Sequence, residues 1–146
     1  MDCGRFRYFR AAGVQKNLRV FIDTHVFLWA LNEPERLGKR ARSLLEDPEN
    51  ELALSVASVW EMAIKIAHKR LRLPDSFRAF VIAGLRSLGV TVVPIEIQHV
   101  FVLAELPQHH ADPFDRMIVA QALSARVPVV TADAAFARYD LKIIRA

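Results

Sequence analysis

The sequence predicts an α/β fold, a parallel sheet covered by helices on both faces. Short apolar runs alternate with longer stretches of helical spacing, the pattern of successive strand–helix–strand units. The 146 residues suffice for one domain with an ordinary core. A hydrophobic share of 53% and a mean hydropathy of +0.18 suit a compact globule and exclude general disorder. The longest apolar runs, VFLWAL and AFVIAGL, are six and seven residues, far too short for a membrane span. The single cysteine, Cys3, excludes an internal disulfide and a cysteine-based zinc site. No apolar stretch follows Arg5, Arg7 and Arg10 as a secretory signal requires, so a cytosolic protein is expected.

The elements follow in order. Residues 18–22 form a short apolar strand ending at Asp23, and 24–31 have helical spacing. Residues 38–46 read as an amphipathic helix closed by Asp47-Pro48, and 52–55 as the second strand. A long helix covers about 57–69. Another covers 74–88, with Phe77, Phe80, Val81, Leu85 and Leu88 on one stripe. Gly89 stops that helix, and Val90–Val93 is the third strand. Helices are predicted at 96–106 and 114–125, a fourth strand at 127–130, a short helical turn at 134–139 and a last strand at 142–144. Repeats and low-complexity linkers are absent from the sequence.

The net charge of +4 and the pI of about 9.6 belong to one end of the chain. Residues 1–19 hold Arg5, Arg7, Arg10, Lys16 and Arg19 against Asp2, which leaves fifteen of the 20 basic groups and fifteen of the 16 acids in the rest. Residues 1–17 therefore read as a basic N-terminal extension, disordered ahead of the fold or an arm for RNA. The domain proper is 18–146. A neutral domain binds nucleic acid through a local patch, not a global field.

Four acids stand at junctions between elements: Asp23 in FIDTH, Glu61 in SVWEMA, Asp115 in DPFDR and Asp133 in VTADA. Each has a local reading. Asp23 and Asp133 can cap the helical turns that follow them. Glu61 lies three residues after Ser58, the spacing of a capping box, and four before Lys65, the spacing of a helical ion pair. In DPFD, Asp112 suits the N-cap and Pro113 the first helical position, which leaves Asp115 for chemistry. Ligands bind at the carboxyl ends of parallel strands, where Asp23 and Asp133 fall. Two carboxylates about 4 Å apart repel by about 4 kcal/mol at an effective dielectric of about 20. A cluster of four therefore calls for a hard divalent cation, and such a cation is a Lewis acid for phosphodiester chemistry. A metal-dependent nuclease is the leading reading.

Other polar and aromatic residues carry weaker signals. Thr131 can bond the metal's water, a phosphate or the backbone. Arg116 can contact phosphate or an inhibitor, or form a salt bridge on the helix surface. His25, His109 and His110 read as solvated before they read as zinc ligands or bases. Phe27, Trp29 and Trp60 read as core before they read as platforms for RNA bases. The far side of the 74–88 helix, with Phe80 and Ile82, is a surface that could pair subunits.

The stretches FIDTHVFLWAL, LSVASVWEMAIKIAHKRLRLP, HHADPFDRMIVAQAL and VPVVTADAAFARY together resemble those of PIN-domain proteins of the VapC type, the ribonuclease toxins of type II toxin–antitoxin pairs. They span residues 18–146 in the family's order, and no acid of its pattern is missing. The resemblance implies a three-layer α/β/α sandwich with a central parallel sheet. It implies hydrolysis of RNA with Mg²⁺, or Mn²⁺ in its place, held by Asp23, Asp115, Glu61 and Asp133. Asp23 and Asp115 are the best candidates for direct ligands, with Glu61 and Asp133 ligating directly, ligating through water, or orienting the attacking water as a base. It also implies a cognate antitoxin from the same operon and a homodimer. Family chains usually begin just before the first strand, so residues 1–17 read as a misplaced start or a cloning remnant.

Two other classes share parts of this pattern. A phosphoryl-transfer enzyme or receiver domain also places an aspartate where Asp23 stands. The dehalogenase pattern wants a second aspartate two residues on, where this chain has His25, and both types need a lysine at a later strand end. A non-catalytic module that binds RNA or protein does not require four acids at such junctions.

Overall fold

The computed structural model describes residues 18–146. The expected N-terminal extension lies outside the described residues. Five strands, β1 (Arg19–Ile22), β2 (Glu51–Ser55), β3 (Val90–Val93), β4 (Val129–Thr131) and β5 (Ile143–Arg145), form one sheet in the order β3-β2-β1-β4-β5. Every pairing is parallel. The helices are α1 (Thr24–Asn32), α2 (Lys39–Glu46), α3 (Val56–Ala67), α4 (Phe77–Leu88), α5 (Ile97–Glu105) and α6 (Pro113–Ala125). The α/β sandwich expected from the sequence is the fold observed.

Alternation along the strands divides the core between the two faces. Val20, Ile22, Leu52, Leu54, Val130 and Ile144 pack with Val26 and Phe27 of α1, Leu44 and Leu45 of α2, and Phe80 and Val81 of α4. Phe21, Ala53, Val93 and Val129 turn the other way, onto Ile118, Val119 and Ala122 of α6 and onto Phe136 and Tyr139. Each large side chain fully removed from water contributes about 1.5–3 kcal/mol. The register aligns the carboxyl ends of the strands, with Ile22 opposite both Leu54 and Val130 and Ser55 opposite Val93.

Several boundaries differ from expectation for identifiable reasons. The fourth strand begins at Val129 because the N–H of Val127 bonds back to the Ala122 carbonyl and Pro128 has no N–H to give. Helix α3 starts at Val56, capped by Ser55, whose hydroxyl accepts from the Ala57 N–H at 3.0 Å. Ser58 is therefore inside the helix, and the expected capping box with Glu61 does not form. The same helix ends at Ala67, before Lys69 turns left-handed at φ 58°. Ser76 caps α4 through the Ala79 N–H at 3.3 Å, which excludes Pro74 and Asp75 from the helix. Short 3₁₀ turns occupy Pro34–Arg36 and Ala134–Arg138. Phe80 is buried while Ile82 is 44% exposed, so the two do not share the pairing surface suggested by the sequence.

Two helix ends make opposite use of the left-handed region. Gly89 closes α4 at φ 64°, where an added Cβ would meet nothing within 4 Å, so a side chain there meets backbone strain alone. Arg126, exposed, closes α6 at φ 58° and already bears that strain. Gly89→Ala is expected to destabilise the fold by about 1 kcal/mol, and Arg126→Gly to be neutral or stabilising by less than about 1 kcal/mol. Urea unfolding midpoints of the two variants against the parent chain check both signs.

Candidate metal centre and active site

The strand order creates the crevice. After β1 the chain crosses to β2 on one side, while β4 continues to β5 on the other. The segments leaving the adjacent strands β1 and β4 therefore diverge, and a parallel sheet opens its binding cleft at such a switch point. Asp23 follows β1, Thr131 ends β4, and Asp133 lies just beyond it.

Asp23 has two roles. Its Oδ1 accepts from the Val26 N–H at 2.8 Å, capping α1, and its Oδ2 accepts from the Thr131 hydroxyl. The Thr131 oxygen accepts in turn from the Asp133 N–H at 3.0 Å, so one hydroxyl ties the two acidic loops together. On the neighbouring helix, Glu61 accepts from the Thr24 hydroxyl at 2.7 Å and pairs with Lys65 at 2.8 Å. The helical ion pair suggested by spacing is thus present, and Thr24 couples it to the start of α1. Asp112 caps α6 through the Phe114 N–H at 2.8 Å, with Pro113 at the first helical position. Asp115 is left free of capping duty and faces the other acids. Asp133 caps the last 3₁₀ turn through the Ala135 N–H at 2.9 Å.

Among the described residues, one ligand atom each of His110, Asp115 and Asp133 lies within 4.8 Å of the others, while Asp23 and Glu61 act on Asp115 through their charge. Burial, then the negative charges of Asp112, Glu61, Asp23 and Asp133, push the Asp115 carboxyl up to about 7. Burial also raises Asp23, against the hydrogen bonds from Thr131 and the Val26 amide that favour its ionised form. Partial burial would raise Asp133 as well, but the Ala135 amide, the bond with His110 and the charges of His110 and His25 together hold it below the ordinary carboxylate range. Oxygen donors from four chain segments, one of them a carboxyl that burial first and its acidic neighbours second push up to about 7, suit a hard divalent cation.

Several side readings change. His110 is not solvated. Its side chain is 7% exposed, and its ring nitrogens lie 3.0 Å from Tyr139 Oη and 3.0 Å from Asp133 Oδ2. Sequence offered only its nearness to DPFD as a signal. Arg116 reaches neither solvent nor a surface acid. It is 7% exposed and donates to the carbonyls of Pro107 at 2.8 Å and Leu103 at 3.0 Å, fastening the end of α5 to α6. The Thr131 hydroxyl is engaged within the protein on both sides. Phe27 is core as expected, but Trp60 is 59% exposed and meets Phe114 edge-on at 5.0 Å, while Arg36 lies 4.3 Å over the Trp29 ring. A cavity of about 520 Å³, bordered by Leu37, Leu45, Leu52 and Arg86, contains none of these acids.

An acidic crevice at the switch point of a five-stranded parallel sheet marks an α/β protein whose carboxylates suit a divalent cation. The PIN-domain family model matches residues 20–142, and the chain belongs to that family, in agreement with its resemblance to VapC-type proteins. Ribonuclease VapC22 of Mycobacterium tuberculosis is 30% identical over 117 residues, which cover 78% of this chain and 86% of that relative. Among solved structures, VapBC2 from Rickettsia felis, bound to a DNA fragment from its promoter, matches with a TM-score of 0.70 at 15% identity, covering 88% of this chain and 99% of that one. VapBC-5 from Mycobacterium tuberculosis, a member of the VapBC family of toxin–antitoxin systems, matches with a TM-score of 0.57 at 25% identity, covering 88% and 98%.

The raised Asp115 carboxyl gives stability a definite pH dependence. Its folded value of about 7 lies above the ordinary 3.8, so between those values the folded state binds more protons than the unfolded one and stability falls as pH rises. Without divalent ions, the melting temperature is expected to drop between pH 5 and pH 8. In Asp115→Asn that drop should shrink, and the variant should be the more stable protein at pH 8. Asp133, held low, acts only below pH 4 and does not offset this trend.

Proposed function

We propose that this protein is a metal-dependent endoribonuclease that hydrolyses RNA phosphodiester bonds and serves as the toxin of a toxin–antitoxin pair. The observation that carries the reading is the meeting of Asp23, Glu61, Asp115 and Asp133 in one crevice, with Asp115 pushed to about 7 by burial and its neighbours. Membership of the PIN family and a relative named as a ribonuclease support the nuclease activity. The likeness to VapBC-5, named as a member of a family of toxin–antitoxin systems, supports the pairing.

The four acids hold Mg²⁺, with Mn²⁺ able to replace it. When bound, the ion supplies a Lewis acid for the phosphate oxygens and lowers the pKa of water near neutrality. Asp23 and Asp115 are the direct ligands. Thr131 and the Val26 amide fix the rotamer of Asp23, and Lys65 with Thr24 fixes Glu61. Asp133, the most exposed of the four, stands at the mouth where the RNA backbone enters. Residues 18–146 make up the nuclease domain, with residues 1–17 outside it.

The partners follow from chemistry. An antitoxin must neutralise a concave acidic site, most directly with an arginine or lysine from a segment that orders on binding. A second copy of the chain pairs through α5, whose Ile97, Val100 and Phe101 form an exposed apolar stripe at helical spacing. No helix among the described residues is long and apolar enough to cross a membrane. The cytoplasm, where RNA and antitoxin are both available, is the assigned compartment.

Purified protein should cleave RNA with Mg²⁺ or Mn²⁺ and stop in EDTA. Asp23→Asn or Asp115→Asn should reduce cleavage by more than the roughly 100-fold typical of losing an outer partner of a metal ligand. Full activity in both variants would overturn the site, and metal-independent RNA binding without cleavage would favour a non-catalytic module. Phe101→Asp should convert a dimer to a monomer in light scattering while leaving the melting temperature within a few degrees. Expression of the chain alone should arrest growth, Asp115→Asn should not, and co-expression of the cognate antitoxin should restore growth.

A further inference from the structure

We propose that His110 is a nitrogen ligand of the site's divalent ion, beside Asp115 and Asp133, so that this centre prefers Mn²⁺ to Mg²⁺. The inference rests on the metal-dependent reading above and adds to it a donor that the four acids do not supply. One ring nitrogen of His110 and one carboxylate oxygen each from Asp115 and Asp133 lie within 4.8 Å of one another. Ligands of an octahedral ion with bonds of about 2.1 Å are about 3 Å apart when adjacent and about 4.2 Å when opposite. Shifts well below about 1 Å per atom therefore close the set around an ion.

The imidazole is built in. It stacks on Tyr139 with 5.5 Å between centroids and 3° between planes, and meets the edge of Phe136 at 4.9 Å. With its side chain 7% exposed, the ring has little rotational freedom left to lose on binding. Its hydrogen bonds suit a ligand as well. In one neutral tautomer Nε2 donates to the Asp133 carboxylate across 3.0 Å and the Tyr139 hydroxyl, 3.0 Å away, donates to Nδ1. A hydroxyl donates or accepts equally well. When Nε2 gives its lone pair to an ion, the imidazole proton sits on Nδ1 and the Tyr139 oxygen accepts it. Tyr139 is thus the outer partner that fixes ring and tautomer in a metal-ligating histidine. A neutral imidazole is a softer donor than a carboxylate, so adding one favours Mn²⁺ over the harder Mg²⁺ and favours the later divalent ions more still.

The experiment is Mn²⁺ titration of the full chain, followed by binding isotherms and by electron spin-echo detection of ¹⁴N coupling to the bound ion. The parent protein should show imidazole coupling and bind Mn²⁺ at least about tenfold more tightly than Mg²⁺. His110→Gln should still bind the ion, without the coupling and with that preference lost. His109→Gln, which changes the neighbouring histidine against the Tyr139 edge, should keep both. Tyr139→Phe, which keeps the ring stack and removes the hydroxyl, should weaken Mn²⁺ binding about tenfold with the coupling retained. Bound Mn²⁺ without ¹⁴N coupling in the parent chain, or coupling that survives in His110→Gln, overturns the assignment and leaves the four-acid nuclease standing. Failure of any Mn²⁺ to bind overturns both.

Discussion

Repulsion among the carboxylates in the crevice between β1 and β4 is the constraint to which the rest of the structure responds. Asp23 and Glu61 are each 5% exposed, and an ion deprived of that much water is costly without compensation. The protein compensates some of these charges internally. Thr131, Thr24, Lys65 and backbone amides offset Asp23, Glu61 and Asp133. Burial first, and the neighbouring negative charges second, push the Asp115 carboxyl up to about 7. An arrangement in which one acid keeps a proton near neutrality is stable without a cation, yet gains a ligand charge when a cation displaces that proton.

The same residues join local structure to the site. Asp23 caps α1 and Asp133 caps the 3₁₀ turn, so the positive ends of those turns oppose part of the negative charge gathered there. Asp112 takes the capping role on α6 and leaves Asp115 to the crevice. Because the caps are set by short-range hydrogen bonds, the carboxylates are positioned by the backbone that ends each strand. The parallel register, with Ile22 level with Leu54 and Val130, then carries that local order across the sheet. The bond from Thr131 to Asp23 spans 108 residues of sequence and, with the Asp133 N–H on the same hydroxyl, joins the two sides of the switch point.

Much of this was legible in the sequence. Alternating apolar runs revealed all five strands, because buried parallel strands are continuous hydrophobic segments that stand out between helices. Asp23 and Asp133 stood out because they lie where strands end, and the DPFD string separates the capping Asp112 from Asp115 by position alone. Features that depend on tertiary packing were not legible. The spacing from Ser58 to Glu61 mimics a capping box, but Ser55 begins the helix one turn earlier. Arg116 looks like a surface cation, yet the end of α5 lies against it and takes up its guanidinium donors. His110 looks like a solvated loop residue until the Ala134–Arg138 turn brings Phe136 and Tyr139 around it. Trp60 follows helical spacing into what should be core, and the fold leaves it 59% exposed beside Phe114.

The central claim is that mutual repulsion of carboxylates, relieved by a divalent ion, organises this site. It is tested most directly by following the Asp115 side-chain carboxyl carbon by ¹³C NMR through a pH titration, with and without Mg²⁺. Without the ion, Asp115 is expected to titrate near 7, and saturating Mg²⁺ should move that transition below about pH 5, since a bound cation favours the ionised carboxylate. An Asp115 that titrates at the ordinary carboxylate value in the metal-free protein, and does not respond to Mg²⁺, would contradict it.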